Sequence, residues 1–230
     1  MLNLQKISAI TLDLDDTLWP IWPTIERAEQ ALQSYLLGHA PRASALFADP
    51  AARLALRHEV MAAQPDLLHQ LSNLRLAQIR LALERSGEDS ALAEPAFEVF
   101  FDERNRVTLF DDALPALDFL SARFPLVALS NGNADLERVG LAAYFKAGLS
   151  AQVFGVGKPD RRIFEAAAQA AGVPLDEVLH IGDDAELDVL AALACGMQTA
   201  WVNREDKLWP HAAEPHETVR SLAEIGRAHV

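Results

Sequence analysis

An apolar run, Ile7-Ser8-Ala9-Ile10-Thr11-Leu12, leads directly into Asp13-Leu14-Asp15-Asp16-Thr17-Leu18. A run of that composition reads as a buried strand. Side chains repeat every two residues along an extended chain, so Asp13 and Asp15 point the same way. Two carboxylates at that spacing repel unless a cation or a shared proton offsets them. The chain must therefore bury this strand while turning its acidic carboxyl end toward something that needs the charge.

Further strand-like runs occur at 126–130, 178–182 and 198–202, after the first at 7–13. Helical patterns separate the later ones, at about 113–123, 134–143, 160–171 and 185–195. Strands alternating with helices of this length predict an α/β fold, a Rossmann-like doubly wound parallel sheet with helices on both faces. Residues 20–105 carry no strand pattern. Thr24 is placed to cap a helix with apolar positions Ile25, Ala28, Leu32, Tyr35 and Leu36, and Leu67, Leu71, Leu74 and Leu81 suggest another. The expected division is a core of 1–19 with 106–230 and an all-helical insert of 20–105, bracketed by Pro20, Pro23, Asp111 and Pro115. A chain of 230 residues is long enough for that arrangement.

Half the residues are hydrophobic, 23% are charged, and the formal net charge is −13. That balance fits a globular protein and argues against nucleic acid or an anionic membrane as partner. The single Cys195 sits in an apolar stretch and is expected to pack in the core. No signal-type segment and no run of about 18 apolar residues is seen, so a cytoplasmic location is the expectation.

In an open parallel sheet, ligands bind outside the carboxyl ends of the strands. The strand ends here carry Asp13 and Asp15, then Ser130-Asn131-Gly132-Asn133, then Gly182-Asp183-Asp184 with Asp188 four residues on; Gly157-Lys158-Pro159-Asp160 lies between the last two. These groups suit phosphoryl transfer through an aspartyl phosphate. An anionic ester and a carboxylate repel, so a divalent cation is needed, and oxygen ligands such as Asp13 and Asp183 suit Mg²⁺. Ser130 and nearby N–H groups at Asn131 and Gly132 would donate to phosphoryl oxygens, Lys158 would supply positive charge, and Asp15 would act as general acid and then base.

Asp13-x-Asp15-x-Thr17, Ser130, Lys158-Pro159 and Gly182-Asp183-Asp184-x-x-x-Asp188 resemble, in order, the four motifs of the haloacid dehalogenase superfamily. The helical insert is similar to that superfamily's C1 cap. The resemblance implies that Asp13 is the nucleophile and Asp15 the acid/base, with the Asp15 carbonyl on the metal. It further implies that Asp183 is a metal ligand, with Asp184 or Asp188 binding the metal or orienting its waters, and that Thr17 steadies the loop or meets substrate. The texture around the motifs is similar to bacterial C1-capped phosphatases acting on flavin mononucleotide or on the phosphoribitylamino-uracil intermediate of riboflavin synthesis. A small phosphorylated metabolite is thus the expected partner of a monomer or homodimer.

Trp19 and Trp22 are open to two readings, packing or stacking on a flat substrate ring. Arg75 and Arg80 could reach substrate phosphate or ribityl oxygens, but surface solvation is the favoured expectation; His180 is expected as a satisfied core group. Competing functions are a haloacid dehalogenase, which needs no metal and no acid at the second position, a phosphomutase, and a catalytically silent binding protein.

Overall fold

The computed structural model describes residues 1–227. Among the described residues six strands form one sheet: β1 (Ala9–Leu12), β2 (Leu126–Ser130), β3 (Ala147–Ser150), β4 (Val178–Gly182), β5 (Gln198–Val202) and β6 (Glu217–Val219). Their order is β3-β2-β1-β4-β5-β6 and every pairing is parallel. Strands β1 to β3 step one way from the centre and β4 to β6 the other, so the topological switch lies between β1 and β4. All residues of β1, β2, β4 and β5 are buried, which is why they read as continuous apolar runs.

On one face, Ala9, Val127, Leu129 and Val178 pack against Ile163, Phe164, Ala167 and Ala171 of the helix Arg161–Ala171. Cys195, a free thiol, belongs to this same buried cluster. Side-chain alternation turns Ile10 and Leu12 to the opposite face, where they are also buried.

The chain divides into two compact units. One comprises Met1–Pro20, Thr108–Gly132 and Gly140–Val230; the other comprises Ile21–Val107 and Asn133–Val139. The second unit is helical: α1 (Ile21–His39), α2 (Pro41–Ala48), α3 (Pro50–Ala63), α4 (Leu71–Ser86) and α5 (Ala93–Asn105). Its own core joins Ala28, Leu32 and Leu36 of α1 to Ile79, Ala82 and Leu83 of α4 and to Ala96 and Phe100 of α5. Thr24 does not cap α1. The helix starts at Ile21, and Pro23 falls in the first turn, where a missing N–H costs nothing; Thr24 is buried inside. Asn133–Val139 groups with this unit rather than with the sheet: Asn133 accepts from Arg104 Nε and donates to Ser72 Oγ, and Asp135 N–H donates to Asn105. Arg75 bonds Glu29 at 2.5 Å and Arg80 bonds Glu94. Among the described residues no helix is long and apolar enough to cross a membrane.

Candidate active site

The site is built where β1, β2 and β4 end. A cavity of about 190 Å³ is lined by Asp13, Asp15, Asp16, Ser130, Asn131, Gly132, Lys158, Asp183, Asp184, Leu187 and Asp188. Its position is the one expected for a ligand at the switch point of such a sheet. Asp13 continues β1, and its N–H donates to the Ile181 carbonyl of β4 at 2.9 Å, which locks the two strand ends together.

Lys158 is the hub. Its Nζ lies 2.5 Å from both Asp13 Oδ1 and Asp188 Oδ1, with only 3% of the side chain exposed. Asn131 holds the lysine by its backbone: Oδ1 accepts from Lys158 N–H at 2.7 Å, and Nδ2 donates to the Lys158 carbonyl at 2.8 Å. Asn131 was expected to meet substrate through its N–H; its side-chain amide is spent aligning the lysine. Gly157 makes the clamp possible, since a Cβ there would sit 2.4 Å from Asn131 Oδ1.

Asp188 accepts at both oxygens. Oδ1 faces Lys158 and, at 3.1 Å, His180 Nε2; Oδ2 takes the Asp184 N–H at 3.0 Å. Thr11 Oγ1 lies 2.8 Å from His180 Nδ1. A neutral imidazole satisfies both contacts, receiving at Nδ1 and donating from Nε2. Burial lowers the His180 pKa and keeps it neutral, although Asp188 pulls the other way. His180 is thus a satisfied core group, as the sequence suggested, and its partner belongs to the site. Gly182 lets Asp188 approach: a Cβ there would be 2.3 Å from Asp188 Cγ.

Three carboxylates, Asp13, Asp183 and Asp188, bring ligand oxygens within 4.8 Å of one another. Their titration differs by environment. Burial opposes ionisation of Asp188, but Lys158 and His180 outweigh it and hold the group below the usual range. Burial raises Asp13 well above that range; Lys158 pulls it back, and Asp188 and Asp183 push it up further. Burial lifts Asp183 to about 7, with the Asp188 and Asp16 carboxylates adding to the shift. Burial would also discharge Lys158, but Asp13 and Asp188 overcome it and keep the ammonium charged. One ammonium therefore faces three acids, and Asp13 and Asp183 are both left short of positive charge. An oxygen-rich, under-neutralised cluster of this kind fits a hard divalent cation.

The remaining predicted residues fall into distinct places. Thr17 is fully buried, with Oγ1 3.3 Å from both Asp13 Oδ2 and Asp183 Oδ1; it braces carboxylates and is not presented to substrate. Ser130 Oγ accepts from Gly132 N–H at 2.9 Å, so that N–H is directed at the serine. Asp184 stands outside the three-acid cluster. It caps the π-helix Ala185–Leu190, its Oδ1 accepting from Glu186 and Leu187 N–H. Trp19 is 0% exposed, which removes it as a stacking platform; its Nε1 donates to Asp15 Oδ1 at 2.8 Å. Trp22, in α1, is 71% exposed.

Two supporting residues had no sequence signal beyond their position in or just after a strand. Trp201 of β5 donates to the Asp183 carbonyl at 2.8 Å. Arg204 forks onto Asp112 at 3.0 Å through both terminal nitrogens and donates to the Thr17 carbonyl at 2.9 Å.

Residues 7–196 match the haloacid dehalogenase-like hydrolase family. The chain is 34% identical over 96% of its length to 96% of 5-amino-6-(5-phospho-D-ribitylamino)uracil phosphatase YigB of Escherichia coli (strain K12). It is 36% identical to phosphoserine phosphatase of Thermus thermophilus, over 64% of this chain and 61% of that one. A crystal structure named as a 2-haloacid dehalogenase from Pseudomonas syringae pv. Tomato DC3000 superposes with a TM-score of 0.91 at 36% identity, covering 96% of this chain and 97% of that one.

Proposed function

The chain belongs to the haloacid dehalogenase-like hydrolases, and from that premise we propose that it is a Mg²⁺-dependent phosphomonoester hydrolase working through an aspartyl phosphate. The observation that carries the reading is Asp15, a second carboxylate lining the cavity that holds Asp13 and Lys158. An alcohol leaving from phosphorus departs as a strong base and needs a proton; a halide leaving from carbon does not. A site built for carbon–halogen cleavage has no use for an acid at this position.

Asp13 Oδ attacks phosphorus, and Lys158 beside it offsets charge gathering on the phosphoryl oxygens. Ser130 Oγ, on the cavity wall, donates to one of those oxygens. Asp15 gives a proton to the departing alcohol, then takes one from the water that releases phosphate from Asp13. Thr17, Asn131 and Asp188 hold these groups in place. Mg²⁺, held by Asp13, Asp183 and the Asp15 carbonyl, would supply the positive charge that keeps both carboxylates ionised and admits an anionic ester.

The cavity at the strand ends suits a phosphoryl group and is smaller than pockets that enclose whole metabolites, about 300–1,000 Å³. The rest of the substrate must be read elsewhere. Full-length similarity to YigB, named for a phosphoribitylamino-uracil, favours a small ester of that kind or flavin mononucleotide.

Purified protein is expected to hydrolyse 4-nitrophenyl phosphate with Mg²⁺ and to stop when EDTA removes it; turnover without metal overturns the proposal. Across a panel of phosphorylated metabolites, ribityl phosphates should give the highest kcat/KM. The likeness to a structure named as a dehalogenase makes 2-chloropropionate the counter-substrate, and halide release from it would favour that second reading.

A further inference from the structure

We propose that Trp19 is a positioning residue for Asp15: its indole N–H fixes Oδ1 as the accepting oxygen, so that the transferable proton is carried on Oδ2. The inference rests on the phosphohydrolase reading above and adds to it a residue that sets the geometry of the proton step.

The loop is built to bring these two residues together. Leu18 N–H donates to Leu14 O at 2.8 Å, and Asp16 N–H to Trp19 O at 2.7 Å, which curls the chain back so that position 19 meets position 15. Asp16 takes φ +59° to allow it, a conformation aspartate tolerates better than most residues. The curl is pinned from outside as well: Phe110 N–H donates to Leu18 O at 2.9 Å, and Arg204 to Thr17 O. Within it, Trp19 is fully buried and its Nε1 reaches Asp15 Oδ1 at 2.8 Å.

The indole N–H can donate and cannot accept. In a protonated carboxyl the carbonyl oxygen is the better acceptor, so the bond selects the form with C=O at Oδ1 and O–H at Oδ2. The same bond survives when the group is ionised, so the carboxyl need not turn between its two tasks. In the first, the Oδ2 proton passes to the bridging ester oxygen as that oxygen leaves phosphorus and Asp13 Oδ bonds to it. In the second, Oδ2 takes a proton from water as the water oxygen bonds to phosphorus and Asp13 leaves. Phenylalanine would fill the same buried space; what tryptophan adds is the donor, and a buried indole N–H is costly unless it has such a partner.

The test is Trp19→Phe, assayed with Mg²⁺ on 4-nitrophenyl phosphate, whose leaving group needs little protonation, and on phenyl phosphate, whose leaving group needs more. The quantity read is kcat/KM, which reports transfer to Asp13 and not the later release. The expected result is a loss of about tenfold or more on phenyl phosphate and less than about threefold on 4-nitrophenyl phosphate. Equal losses on both, or none, overturn the proposal, because packing alone does not distinguish leaving groups. Asp15→Asn run in parallel separates the two layers of argument. If it shows no leaving-group dependence, the acid assignment itself fails; if it does and Trp19→Phe does not, only the positioning role fails. Should Trp19→Phe not fold, site-specific benzothienylalanine at position 19, which replaces the N–H by sulfur with nearly the same shape, is read in the same way.

Discussion

The strand ends of the sheet unit and the surface of the helical unit handle charge in opposite ways. At the strand ends, Asp13, Lys158, Asp188 and His180 are buried together and bonded to one another. In the helical unit, pairs such as Arg80–Glu94, Arg85–Glu59 and Arg138–Glu98 sit at the surface with both partners substantially exposed. Exposed pairs contribute little, because water already solvates each charge. Buried charges cost several kcal/mol each to desolvate, so a fold that gathers ionisable groups in this way is giving up stability for chemistry. The helical unit owes its fold to the apolar stripe of α1 against α4 and α5, and the sheet unit carries the desolvation cost of the site.

The comparison breaks most visibly at Asp13. Asp13→Asn should cut kcat by at least about 10⁴-fold, since a carboxamide is no nucleophile. Its melting temperature should hold or rise, because the change removes one of three crowded acids. Activity that survives would mean that the carboxylate does not react, and a collapse in thermal stability would mean that it holds the fold. Lys158→Met comes next. It leaves Asp13 and Asp188 buried without their cation, which should cost about 3–5 kcal/mol in urea unfolding and depress turnover as well. A loss below about 1 kcal/mol would show that the buried cluster behaves like the surface pairs.

The four central strands were legible in the sequence because burial on both faces writes an unbroken apolar run. Strands β3, Ala-Gly-Leu-Ser, and β6, Glu-Thr-Val, were not; they lie at the sheet edges, are short, and are partly exposed, so neither a run nor an alternation marks them. The helix expected over 134–143 shrinks to Leu136–Val139, with Gly140 at φ +83° ending it. For the site, spacing along the chain located Asp13, Asp15, Ser130, Lys158, Asp183 and Asp188 at one rim, since strand ends converge whatever lies between them. It could not tell which atom each side chain addresses. Asn131 turns to the Lys158 backbone, Thr17 to two carboxylates, Asp184 to a helix end and Trp19 to Asp15; these directions depend on packing between segments up to 166 residues apart. Arg204 is a support that its position just past a strand end could have flagged.

A smaller effect sharpens the electrostatic half of the comparison. In the metal-free fold Asp183 keeps its proton up to about pH 7, whereas the unfolded chain releases it near 4. Stability from this carboxyl is therefore full below about pH 4 and is lost as pH rises through 7. A cation bound there competes with that proton. The rise in melting temperature on adding Mg²⁺ should accordingly be larger at pH 8 than at pH 5.5, with the change centred near 7. Equal shifts at both values would mean that Asp183 is ionised throughout or that Mg²⁺ binds elsewhere.

The smallest expected effect closes the contrast from the other side. Arg80 is 42% exposed and pairs with Glu94, itself 58% exposed. Arg80→Met should change unfolding free energy by no more than about 0.5 kcal/mol, and less still in high salt, where screening removes what attraction remains. Set beside Lys158→Met, it replaces a cation by an apolar chain at an exposed site with one carboxylate partner instead of a buried site with two. If the surface change costs as much as the buried one, desolvation is not what separates the two units, and Arg80 holds a contact that its exposure does not reveal.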